Sequence, residues 1–194
     1  MKRLLLILIL TFSFQSWAKA DDIKDFQIEG ISIGDSVLDF FTKSEIKNST
    51  WDYFINKEFT PLQFDAPIFA KTYDAIDIQY KSNDNNFKIM GLSGIIFYDD
   101  KKLIKQCYKK MDTITSQIRS LFLNISEDPK ETLIHPADKT GKSSVTSVDF
   151  EFPNQDVISI QCYDYSVELG DQNHLRIGIN TKEYRIFLST KAYK

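Results

Sequence analysis

Two short stretches carry side chains that could act together on a substrate. Gly34-Asp35-Ser36 sets a serine hydroxyl directly after a turn-forming pair. Asp171-Gln172-Asn173-His174 sets a carboxylate three residues before one of the two histidines in the chain. A serine, an imidazole and a carboxylate within reach of one another form an activated nucleophile. The imidazole takes the hydroxyl proton, and the carboxylate orients the imidazole. The chemistry would be acyl transfer, with an ester as the natural substrate.

With Asn83-Asp84 lying between them, these blocks resemble, in type and order, those of the SGNH (GDSL-type) lipases and esterases. The resemblance implies Ser36 as nucleophile, His174 as base and Asp171 as its partner, on a parallel sheet with alternating helices. The chain departs from that pattern in three ways. Lys81 stands where the Asn-Asp block carries a glycine. Only 7 glycines are available for the loops from which such sites build an oxyanion hole. The spacers between the apolar stretches are too short for the crossover helices of a parallel sheet. Ser36 has a second reading as a helix cap. With Asp39 three residues on, it makes a capping box for a helix over residues 37–41. This reading needs no missing parts, and it makes the chain a non-enzymatic one.

The other motifs are fragments. Residues 139–144, KTGKSS, end like a phosphate-binding loop but carry Pro136 where the first glycine belongs. His135 and His174 are too far apart to be read as a ligand pair, and the acidic pairs lack calcium-loop spacing, so neither a metal nor a cofactor is expected. Asn48-Ser49-Thr50 and Asn124-Ile125-Ser126 fit glycosylation acceptors.

The N-terminus predicts export. Lys2 and Arg3 precede the apolar run 4–14, and Ala18-Lys19-Ala20 supplies a cleavage pattern, so residues 1–20 read as a signal peptide cut after Ala20. The run is too short to span a bilayer, and no later stretch approaches that length. Residues 21–194 then form a single domain, periplasmic or secreted. Removing Lys2, Arg3 and Lys19 leaves 21 basic against 27 acidic residues, a balance that excludes nucleic acid as a partner. Cys107 and Cys162, an even pair in an oxidising compartment, are expected to form a disulfide.

The positioning elements follow from periodicity. Ile76, Ile78 and Tyr80 alternate with polar residues, and 87–98 reads as a central strand. From Leu103 to Phe122 apolar residues recur every three or four positions, which predicts a long helix opened by Asp99-Asp100 and closed near Asn124. Residues 125–144 read as a polar loop. Alternation resumes through Phe150, Ile160 and Ile177, with a last strand over 184–188. The expected class is α+β: a single antiparallel sheet of five to seven strands, with one long and one short helix packed on one face. Such a sheet, crowded with aromatics in 51–73, suits an exported protein that works by binding. The partner would be a protein or a small hydrophobic or peptide ligand held on the open face or edge.

Overall fold

The computed structural model describes residues 22–65, 67, 70–98 and 103–194. The expected signal peptide and the Asp99-Asp100 pair lie outside them. The chain is α+β, with one antiparallel sheet of eight strands and three α-helices among the described residues. In chain order the elements are α1 (Lys43–Ser49), β1 (Phe59–Asp65), β2 (Ala75–Lys81), β3 (Ile89–Tyr98) and α2 (Ile104–Leu121). There follow β4 (Ser126–Glu127), β5 (Glu131–Ile134), β6 (Ser144–Glu151), β7 (Val157–Asp164), β8 (Asn173–Asn180) and α3 (Lys182–Thr190). The sheet order is β1-β2-β3-β8-β7-β6-β4, and β5 also pairs with β6. Two meanders, β1–β3 and β6–β8, therefore meet along the β3–β8 ladder.

One face of the sheet is a closed apolar layer. In register across it run Leu62, Ile78, Leu92, Ile179, Ile158 and Phe150, all fully buried. Each such side chain contributes about 2 kcal/mol through its removal from water. Helix α2 lies on this face and buries Cys107, Met111, Ile114 and Ile118, the three-and-four spacing expected of its apolar stripe. Cys107 in its first turns is joined to Cys162 of β7, with Cα atoms 6.0 Å apart. The cross-link ties helix to sheet.

Five expectations are corrected. Residues 184–188 are helical. Thr181 caps α3 by accepting the Tyr184 N–H, and Tyr184, Phe187 and Leu188 turn inward at helical spacing while Ile186 stays exposed. The apparent alternation of 184, 186 and 188 was a helix seen every second residue. The strand count exceeds seven because β4 and β5 fall in the stretch read as loop. Every residue of both is exposed, so no alternation marks them. The helix expected after Ser36 is a single 3-10 turn, Val37–Asp39; α1 begins at Lys43 under its own cap, Thr42. Helix α2 closes at Phe122 rather than near Asn124, the Phe122 N–H reaching the Ile118 carbonyl. Nor do the helices share one face. Helix α3 packs opposite α2, with Phe54, Phe59, Tyr184 and Phe187 forming a second, smaller core.

Candidate functional site

The second face of the sheet is polar and only partly covered. Its central row runs Gln63, Asp77, Ser93, Gly178, Ser159 and Asp149 across β1, β2, β3, β8, β7 and β6. The middle of that row is small, so the face sinks into a hollow at Ser93, Gly178 and Ser159. Larger polar groups surround it: Gln79, Asn180, Arg176 and Gln161 from the neighbouring rows. The result is a groove of about 680 Å³.

Three segments wall the groove. Helix α3 closes one end, where the Tyr184 ring and the Gln79 carboxamide sit directly over Gly91. A Cβ at Gly91 would lie 2.5 Å from Gln79 Oε1 and 2.6 Å from that ring, so only glycine admits the close approach. Residues 51–54 form a second wall. The Trp51 and Tyr53 rings stack at 4.8 Å, and Tyr193 meets Tyr53 edge-on. At the far end Tyr163 stacks on His174 at 4.4 Å, with Tyr165 and His135 beside them.

Charge is buried in the floor. Asp77 is 4% exposed and accepts from the Gln63 amide at 3.2 Å; the Arg176 guanidinium lies 3.6 Å away. Arg176 Nε also donates to the Ser93 hydroxyl at 3.0 Å. Burial pushes the Asp77 carboxyl above the usual range, and Arg176 partly offsets this. Burial likewise raises the Asp149 carboxyl and the Tyr163, Tyr165 and Tyr184 hydroxyls, so these phenols remain neutral donors.

His174 does not serve Ser36. Its Nδ1 donates to the Gln172 carbonyl at 3.0 Å, and the residue sits opposite Phe97 at the end of β3. Ser36 bridges to Lys88, nine residues earlier, which is about 30 Å along the strand. The Ser36 hydroxyl is also engaged, donating to the Asn86 carbonyl at 2.7 Å and accepting the Leu38 N–H at 3.2 Å. Asp39 completes the capping box by accepting the Ser36 N–H. Asp171 and His174 line the groove and Ser36 does not. The three are not brought together.

No family model, curated protein or solved structure matches this chain. Its function must be read from the groove itself. Among the described residues no cluster of three or more His, Cys, Asp or Glu side chains is placed to hold a metal ion, and no helix is long and apolar enough to cross a membrane.

The groove residues were missed in the sequence because their alternation is ordinary. Asp77 and Gln79 stand between Ile76, Ile78 and Tyr80, a pattern that reads as a solvent-facing side. Both are in fact 4% exposed. The faint signal was a run of small and amide residues, rather than lysines, on the outward side of β3, β7 and β8.

Burial, reinforced by the nearby Arg176 and His135 charges, lowers the His174 pKa to about 4. An unfolded chain binds that proton near pH 6.5 while the folded one does not, so stability falls as pH drops from about 6.5 to about 4. The loss is at most about 3 kcal/mol. Urea unfolding at pH 7.5, 5.5 and 4.5 should show it, and His174→Gln should flatten the slope. An unchanged slope in the variant would place the pH dependence elsewhere.

Proposed function

We propose that this chain is an exported, non-catalytic binding protein whose contact surface is the groove on the polar face of the sheet. The observation that carries this reading is the floor of that groove, where a paired charge and several amides surround a hollow left by Ser93, Gly178 and Ser159. A surface with no ligand would gain nothing from holding Asp77 and most of the Arg176 side chain out of water. The disulfide supports an oxidising compartment. The separation of Ser36 from His174 speaks against the esterase alternative built on Ser36, Asp171 and His174.

The floor also narrows the ligand class. An apolar ligand would strip water from Asp77, Arg176 and Asp149 without replacing its hydrogen bonds, at about 1–3 kcal/mol for each group left unpaired. A polar ligand avoids that cost.

The test uses Gly178→Leu, which extends a side chain into the hollow from a position with ordinary backbone. A Cβ there comes no nearer than 3.4 Å to Ser93 Oγ. Wild-type and variant proteins are immobilised and exposed to an envelope or culture-supernatant extract. Capture should be lost with the variant, and equal capture would remove the groove from consideration. In parallel, a chromogenic short-chain ester should not be turned over. Turnover abolished by Ser36→Ala would establish an esterase.

A further inference from the structure

From the pairing of buried, unpartnered acceptors with exposed ring faces, we infer that the groove takes a neutral oligosaccharide. The inference rests on the groove being the contact surface, and it goes further by naming the occupant. Among the described residues three buried side-chain oxygens have no hydrogen-bond partner, and two of them, Gln79 Oε1 and Asp149 Oδ1, belong to residues of the groove. Gln79 is 4% exposed. Buried polar atoms are paired in folded proteins unless something outside the chain pairs them. What these two lack is a donor.

The same floor carries donors. Arg176 has five N–H groups; Nε is held by Ser93, and the guanidinium, 28% exposed, lies 3.6 Å from the Asp77 carboxylate. Donors and acceptors thus share one surface. A hydroxyl is the group that answers both, because it donates and accepts at once. A ligand with hydroxyls along its rim matches this floor throughout.

The walls supply the complement. Trp51, Tyr53 and Tyr193 are about half exposed, and Trp51 and Tyr53 lie parallel. Tyr163 and His174 form a second stacked pair at the other end. Flat, partly wet aromatic faces accept the C–H face of a sugar ring. From His174 to Asn180 the floor runs about 20 Å along β8, long enough for several rings in line.

A peptide fits less well. Peptides join sheets through free main-chain groups at an edge, whereas the main chain of this floor is already paired with strands on both sides. The charges disfavour an acidic sugar: Asp77, Asp149 and Asp171 outnumber Arg176 and Arg185 among the lining residues.

Trp51 is its own probe. A chain beginning at Asp21 has one indole, at the groove wall. Its emission is followed while gluco-, N-acetylglucosamine- and malto-tetraose are added to millimolar concentration, beside an oligogalacturonate and a mixed peptide pool. At least one neutral saccharide should shift the emission. Calorimetry should show the affinity falling about tenfold or more with Trp51→Ala and with Gly178→Leu, once circular dichroism shows both variants folded. Three results overturn the inference: no neutral saccharide binds, the variants bind as the parent does, or the acidic sugar binds best. Gly178-dependent binding of peptides alone overturns it too, while leaving the groove as the contact surface. Capture insensitive to Gly178→Leu in the extract experiment removes both readings together.

Discussion

A chain carrying Cys107→Ala and Cys162→Ala should unfold about 4 kcal/mol more readily than the oxidised parent. The two residues are 55 apart in sequence, and closing a loop of that length removes about this much conformational freedom from the unfolded chain. Reduction of the parent should lose the same amount, because the stabilisation resides in the cross-link and not in the sulfur atoms. Guanidinium unfolding of the three samples measures it. Both sulfurs are fully buried between α2 and β7, so the parent should resist reduction while folded. A loss below about 1 kcal/mol would show that the cross-link leaves the unfolded chain nearly as free as before.

Arg176→Met should be nearly as damaging at neutral pH, for an electrostatic reason. It leaves Asp77 charged, 4% exposed, and supported only by the Gln63 amide. Stranding one member of a buried ion pair costs about 3–5 kcal/mol. The pH dependence identifies the cause. Asp77 already titrates above the usual carboxylate range because of burial, and losing the cation moves it higher. A carboxyl whose folded pKa is raised is penalised only where it must ionise, so the deficit shrinks as pH falls and Asp77 takes its proton. The quantity to measure is the difference between variant and parent at pH 8 and pH 5 with both chains carrying His174→Gln, because Arg176 also bears on the His174 imidazole. A difference independent of pH would mean that packing of the arginine stem, not Asp77, explains the loss.

How much of this was legible beforehand varied with the kind of signal. The helix over 104–121 and the strands containing Ile78, Leu92, Ile160 and Ile177 were legible because each buries one face, and burial imposes a period. The cross-link followed from an even pair of cysteines in a compartment expected to be oxidising. Strands β4 and β5 left no trace because they bury nothing. Helix α3 was misread because Tyr184, Ile186 and Leu188 are apolar at every second position, yet Ile186 faces solvent. Ser36 was legible as a cap since capping depends on three neighbouring residues. The groove was not, because it is a property of register: Asp77 and Asp149 come onto one row only after five strands have been aligned.

The ladder between β3 and β8 has a kinetic side. Tyr98 pairs with Asn173, 75 residues later, in the ladder whose partners lie farthest apart in sequence. Through the cystine the same partners are about 20 residues apart, nine from Tyr98 to Cys107 and eleven from Cys162 to Asn173. Shortening the closure by that ratio lowers its entropic barrier by about 1 kcal/mol. If oxidised first, the chain therefore zips its two halves together roughly tenfold faster than the thiol form.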